Sequence, residues 1–284
     1  MVITITDTQE LINHRKLQKG EVGFVPTMGN LHAGHISLLE KALIDFMVVY
    51  FSIFVNPKQF APNEDFAKYP RTLQQDIDLI EALAKKHPKS DIIIYAPKDS
   101  AEIYPQGYDQ AVFVSGISSL LEGARRPTHF DGVTTVVYRL FEIVKPTRAY
   151  FGLKDYQQYL IVKKMVKDLQ LPIDIKGMPI VRETTGLALS SRNQYLSKEE
   201  REVALTLSKT LHQAKDILQG SRTNIPKVQA FLSDVIKDPR WNYLELKDSE
   251  TLSEDVSRST SVTLLGVFQL GTTRLLDNMQ LELQ

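Results

Sequence analysis

Residues 21–45, EVGFVPTMGNLHAGHISLLEKALID, constrain the fold more than any other stretch of the chain. Val22, Phe24 and Val25 are apolar and favour extended backbone, so residues 21–26 read as a short buried strand. Thr27-Met28-Gly29-Asn30 is turn chemistry, because Gly29 takes positive φ without a steric penalty and Asn30 tolerates it. Ile36, Leu38, Leu39, Ala42 and Leu43 then recur at helical spacing. A buried strand therefore runs into a glycine turn, and the turn opens a helix. His32 and His35 sit at that junction, three residues apart, so both imidazoles can face one spot. A helix start presents unpaired N–H groups and the positive end of the dipole, which together attract anions. Gly34 is expected to leave room for a ligand near the backbone. Imidazoles on such a start suit the charge that develops on a phosphorus during displacement.

The remainder of the chain sets limits. At 284 residues and 43% hydrophobic, it can fill one large domain or two smaller ones. Lys+Arg and Asp+Glu both number 34, without the basic excess usual in a protein that lives on nucleic-acid phosphates. The absence of cysteine excludes disulfides, thiol catalysis and Cys-zinc sites. MVITITDTQE lacks a charged region followed by an apolar run, and no apolar stretch approaches bilayer length. A cytoplasmic protein with no membrane or nucleic-acid partner is the expectation.

Taken in order, residues 2–5 alternate like a strand and a polar helix starts near Asp7. Residues 46–55 are aromatic and β-branched, as in a parallel strand buried on both faces. That strand ends at Asn56-Pro57-Lys58-Gln59-Phe60. Ligands of open α/β sheets bind beyond the carboxyl ends of strands, so Asn56 and Gln59 are expected on the rim that carries His32 and His35. A helix is expected over 73–85 with Asp76 and Asp78 on its solvated face, then a strand over 91–95. Residues 100–124 read as loop-rich, with one strand at 111–114. Residues 123–132, carrying Arg126 and His129, read as a loop at the mouth of a site before a helix over 133–143. The strand over 148–151 ends at Gly152-Leu153-Lys154-Asp155, a second strand-to-helix turn that aims N–H groups and one lysine at a possible anion. After a strand over 174–181, Ser190, Ser191 and Arg192 gather three phosphate donors in one turn. Ser197 with Glu200 is a capping box, followed by helices to about 216 and over 226–236. Strands over 243–246, 262–268 and 274–278 complete a separate α+β unit. The expected fold is α/β: a doubly wound parallel sheet over 1–186 and a smaller C-terminal α+β lid domain over 187–284.

The string Pro26-Thr27-Met28-Gly29-Asn30-Leu31-His32-Ala33-Gly34-His35 resembles the His-x-Gly-His signature of the nucleotidylyltransferase superfamily. In its full length it is similar to the pantothenate synthetase (pantoate–β-alanine ligase) family. F-V-N-P-K-Q-F, E-D-F-A-K-Y-P-R-T, F-G-L-K-D-Y-Q-Q, S-S-R-N and G-T-T-R-L-L-D-N extend the resemblance through both halves. Three positions depart from the family pattern: Lys58 replaces Met, Leu153 stands where Glu is common, and Thr185 replaces Asp. The resemblance implies a Rossmann-like nucleotide domain and a two-step reaction. ATP and pantoate give pantoyl adenylate and pyrophosphate, and β-alanine then displaces AMP to give pantothenate.

The same resemblance implies that residues from Pro26 to His35 bind ATP, together with Gly152, Leu153, Lys154, Asp155, Val181, Leu189, Ser190, Ser191 and Arg192. His32, His35, Lys154 and Arg192 would serve the chemistry, and Asp155 the ribose. Gln59, Gln158 and Asn56 would hold pantoate, and Gln59 also β-alanine. Tyr69 and Arg71 are further site candidates, whereas Asp65 and Lys68 read as surface loop. Mg²⁺ is expected to ride on the ATP phosphates with no dedicated protein ligand, and family members are usually homodimers. Two rival readings stay open. An adenylyltransferase acting on a phosphate ester would offer cations where this chain has Gln59 and Gln158. A regulatory module without turnover would bind ATP and release no pyrophosphate.

Overall fold

The computed structural model describes residues 1–62, 64 and 66–284, so Asp65 lies outside the described residues. The chain divides into two compact units, Met1–Leu153 with Gln157–Pro179, and Lys154–Tyr156 with Ile180–Gln284. Residues 180–186, expected in the first half, thus group with the second. Among the described residues no helix is long and apolar enough to cross a membrane.

The first unit comprises β1 (Val2–Ile5), α1 (Thr8–Leu17), β2 (Gly23–Thr27), α2 (Ala33–Asp45), β3 (Val48–Ile53), α3 (Leu73–Ala84) and β4 (Asp91–Tyr95). It continues with α4 (Ser100–Ile103), α5 (Leu121–Arg125), α6 (His129–Val144), β5 (Arg148–Gly152), α7 (Tyr156–Asp168) and β6 (Asp174–Met178), Tyr156 itself grouping with the second unit. Six strands form one parallel sheet in the order β1-β4-β3-β2-β5-β6. From β2 the chain steps outward through β3 to β4, then returns to lay β5 and β6 on the other side of β2. The order reverses between β2 and β5, and the crevice of a doubly wound sheet opens at such a switch. Thr27 and Gly152 are the carboxyl ends that flank it.

Successive strand residues alternate between two cores. Phe24, Tyr50, Tyr95 and Phe151 pack with Leu11 of α1 and Val137, Leu140 and Phe141 of α6. Val25, Phe51, Ile94 and Tyr150 pack with Leu38 and Leu39 of α2 and Ile80 and Leu83 of α3. Both faces are buried, which is why these strands read as unbroken apolar runs.

Two expectations in this unit are corrected. Residues 111–114 form no strand. Val112 gives its N–H to Thr135 Oγ1 at 3.1 Å and its carbonyl accepts from Thr134 Oγ1, so helix side chains satisfy the backbone that a sheet would have paired. The A-V-F-V pattern reflects packing of Val114 into the core while Phe113 stays exposed. The helix expected from Val133 starts at His129, so His129 belongs to its first turn. Its polar opening and Gly132 hid that turn. A Cβ on Gly132 would lie 2.2 Å from Lys58 O, and glycine lets α6 press directly on the backbone after β3.

The second unit contains α8 (Lys198–Leu218), α9 (Ile225–Val235) and an antiparallel sheet of β7 (Trp241–Asp248), β8 (Ser261–Leu270) and β9 (Thr273–Glu282). Ser197 and Glu200 form the expected capping box at the start of α8. Leu207, Leu211, Val228 and Leu232 from the helices pack against Leu244, Leu246, Leu264 and Phe268 of the sheet.

Candidate active site

The histidine turn is fixed before either histidine is reached. Thr27 Oγ1 donates to Ser52 O at 2.8 Å and accepts from Gly29 N at 3.2 Å. Gly29 (φ 82) and Asn30 (φ 51) are consecutive left-handed residues that swing the chain away from β2. The N–H groups of Asn30 and Leu31 then donate to the two carboxylate oxygens of Asp76, at 3.0 and 2.8 Å. Asp76 is 2% exposed on α3 and also accepts from Thr72 Oγ1. It was expected on a solvated face; only Asp78 is there, exposed and bonded to Gln74. The sequence did hold the signal: Asp76 precedes the buried Ile80 by four and Leu83 by seven, so it shares their stripe.

His32 is the N-cap of α2. Its Nδ1 accepts from Gly34 N at 3.1 Å, and His35 Nδ1 accepts from His32 N at 3.3 Å, a reciprocal capping box built from imidazoles. The rings lie 4.1 Å apart, centroid to centroid. With Nδ1 accepting, each neutral ring carries its proton on Nε2. The expectation for Gly34 is corrected: its missing Cβ would meet His32 Cε1 at 2.8 Å, so the space belongs to the His32 ring rather than to a ligand.

Gln59 is buried, and its Nε2 donates to Met28 Sδ at 3.0 Å, which joins the loop after β3 to the histidine turn. Asn56, 1% exposed, donates to Gln59 Oε1 and Gly132 O and accepts from Lys58 N and Tyr104 OH. Those four bonds fill the hydrogen-bonding capacity of its amide. Asn56, expected as a pantoate contact, is therefore placed as a support for the Gln59 amide. Arg126 and His129 hold the same segment from behind. His129 donates from Nδ1 to Gln59 O at 2.8 Å and accepts at Nε2 from Arg126 Nη1 at 3.1 Å. Burial, then the adjacent Arg126 charge, pushes His129 down to about 4, consistent with that neutral tautomer. Arg126 also forks onto Glu64 at 2.7 and 2.6 Å. Burial alone would raise the Glu64 carboxyl, but this fork holds it below the ordinary carboxylate range.

The remaining first-unit candidates separate by their partners. Gln157 donates to Ile117 O and Leu120 O and accepts from Glu122 N, a purely structural pin, whereas Gln158 is half-buried. Leu153 packs over Gly177, where a Cβ would lie 2.6 Å from its Cδ2. Lys58 is exposed, with its ammonium 4.0 Å above the Tyr104 ring. Tyr69 stacks edgewise on Phe60 and Arg71 lies over Phe66.

Lys154, Asp155, Val181, Leu189, Ser190, Ser191 and Arg192 all fall in the second unit. Leu189 N donates to Val181 O at 2.9 Å, and Arg182 pairs with Ala188, so 181–189 doubles back on itself. Ser190 Oγ caps a short 3₁₀ turn over Ser191–Tyr195, accepting from Arg192 N at 3.2 Å. Behind it Asn193, 4% exposed, donates to Ala188 O and Glu183 Oε1, both at 3.1 Å. Arg201 of α8 joins Glu183 at 3.1 Å and Asn193 O at 2.8 Å. Glu183, Asn193 and Arg201 were not among the sequence candidates, and no local pattern marks Arg201. Among the described residues no group of three or more His, Cys, Asp or Glu side chains could hold a metal ion.

Comparison with known proteins agrees with this architecture along the whole chain. The family model of pantoate–β-alanine ligase matches residues 1–280. The pantothenate synthetase of Fervidobacterium nodosum is 44% identical over 283 residues, covering 98% of both chains. That of Acetivibrio thermocellus is 43% identical over 285 residues, covering 99% of both. Among solved structures, a pantothenate synthetase from Thermus thermophilus aligns with a TM-score of 0.87 at 41% identity, over 98% of this chain and 99% of that one. The pantoate–β-alanine ligase of Francisella tularensis, complexed with beta-gamma ATP and β-alanine, aligns with a TM-score of 0.76 at 34% identity, over 98% of this chain and 97% of that one. By sequence and by fold, over nearly its full length, the chain belongs to the pantoate–β-alanine ligase family.

Proposed function

We propose that this protein joins pantoate and β-alanine at the expense of ATP, and that it does so through a pantoyl adenylate. Membership of the family carries the overall ligation. One observation supports the adenylate route above others: two imidazoles fixed on the first turn of α2, with Nε2 as the donor of each ring, at the positive end of a helix dipole. A pantoate carboxylate attacking the α-phosphorus of ATP builds negative charge that such donors stabilise.

In this reading His32 and His35 face the α-phosphate, and Lys154, Ser190, Ser191 and Arg192 hold the outgoing pyrophosphate. Asp155 accepts from the ribose hydroxyls. The backbones of Met28, Gly152, Val181 and Leu189 hold the rest of the nucleotide, which enters as its Mg²⁺ complex. Gln59 and Gln158 orient pantoate, and Gln59 then meets β-alanine. Neutral amides suit this task, because a bidentate arginine would draw basicity from the nucleophilic carboxylate. Asn56 acts through Gln59. The second unit serves as a lid that excludes water from the labile adenylate, in a cytoplasmic homodimer.

The test is ATP–pyrophosphate exchange. Exchange should require pantoate and proceed without β-alanine. Exchange without pantoate would favour a different adenylyltransferase, and ATP binding with no exchange would favour a regulatory module.

A further inference from the structure

The string G-T-T-R-L-L-D-N, residues 271–278, has so far no part in the reaction. Its last two residues lie in the middle of β9 and are nearly inaccessible, Asp277 at 1% and Asn278 at 3% exposure. Their strand neighbours include Leu275, Leu276, Met279 and Leu281. Polar side chains buried in such a strand are costly unless hydrogen-bonded. Both are bonded, and both reach segments that carry candidate phosphate groups.

Asn278 Nδ2 donates to the main-chain oxygen of Lys154 at 2.8 Å. Two residues on, Tyr156 OH donates to Ser249 O at 2.6 Å. Lys154–Tyr156 is thereby pinned at both ends within the second unit, although Gly152 and Leu153 before it belong to the first. Asp277 accepts from Nη1 and Nη2 of Arg182, at 2.6 and 2.9 Å, and Arg182 Nη1 also donates to Gly186 O at 3.1 Å. Arg182 pairs with Ala188, two residues before Ser190.

We propose that Asn278 is a positioning residue that sets the place of Lys154, and that Asp277 does the same for the serine–arginine loop through Arg182. Adjacent residues of one strand then hold both cationic segments on one small sheet, and their spacing is set inside a single unit. The proposal rests on Lys154 acting on the ATP phosphates.

The experiment is a double-mutant cycle on ATP–pyrophosphate exchange in the full-length enzyme, with Asn278→Leu, Lys154→Ala and the pair. Lys154→Ala should lose about 10²–10³ in rate. Asn278→Leu, which cannot donate to the Lys154 carbonyl, should lose about 10–100-fold through misplacement, raise KM for ATP and leave KM for pantoate unchanged. In the Lys154→Ala background, Asn278→Leu should add little further loss, because both act through one side chain. Losses that multiply, or an Asn278→Leu enzyme as active as the wild type, would overturn the proposal. Should Asn278→Leu fail to fold, Asn278→Asp removes the same donor at the same size and carries the same expectations. If Lys154→Ala alone kept full activity, the phosphate role of Lys154 would fall, a result distinct from additivity in the cycle.

Discussion

The turn over 27–35 and the loop over 189–193 are both read as phosphate-binding, yet they are held in place by different means. The first is shaped by its main chain. Two left-handed residues turn it, and two N–H groups end on a carboxylate that is 2% exposed. The second is held by a relay of side chains, Asn193 to Glu183 to Arg201, in which Glu183 and Arg201 are 25% and 40% exposed. Water competes for the relay and is kept from Asp76, so the turn is held more firmly than the loop. The contrast is one of support: a buried carboxylate lies under the turn, and partly exposed side chains lie under the loop.

The largest expected effect breaks the support of the first turn. Asp76→Ala leaves two N–H groups without an acceptor, at about 1–3 kcal/mol each. Denaturant unfolding should show a loss of about 2–6 kcal/mol, and pyrophosphate exchange should fall about 100-fold as the histidines shift. A variant as stable and active as the wild type would mean that the first turn is no more fixed than the second.

Next comes the support behind Gln59. His129 is depressed from 6.5 to about 4 by burial and then by Arg126. The unfolded chain takes up this proton near 6.5, whereas the folded protein resists until about 4. The contribution is therefore complete above 6.5 and declines as pH falls towards 4, by about 3 kcal/mol in all. His129→Gln should flatten that slope in unfolding measurements between pH 4 and 7. An unchanged slope would assign the acid sensitivity to other groups.

The smallest effect belongs to the loop over 189–193. Arg201→Ala removes a partly exposed ion pair, for about 0.5–1 kcal/mol of stability. KM for ATP should rise a few-fold with kcat nearly constant. A loss matching that of Asp76→Ala would erase the distinction between the turn and the loop.

What the sequence made legible follows from the range of the interactions. The central strands β2 to β5 could be read because each carries its own apolar run, and the α2 junction because turn and helix signals are contiguous. Asp76 was missed because its partners lie 45 and 46 residues away, although its phase with Ile80 and Leu83 marked the buried stripe. Residues 111–114 misled because β-favouring residues can also pack against a helix that supplies its threonine hydroxyls. Lys154 groups with the second unit, where Asn278, 124 residues later, donates to its main-chain oxygen, and nothing near Lys154 announces it. The roles of individual side chains toward ATP and pantoate were inferred from motif resemblance, which names residues without saying what keeps them in place.

The imidazole cap at the start of α2 has a consequence for charge. A lone pair that accepts a backbone N–H cannot also hold a proton, and an imidazolium has no lone pair left to offer. Protonating His32 at Nδ1 would cast off Gly34 N–H, and protonating His35 there would cast off His32 N–H. Full positive charge and an intact capping bond thus exclude one another on each ring. While those capping bonds hold, the His-Ala-Gly-His motif presents two oriented Nε2–H dipoles.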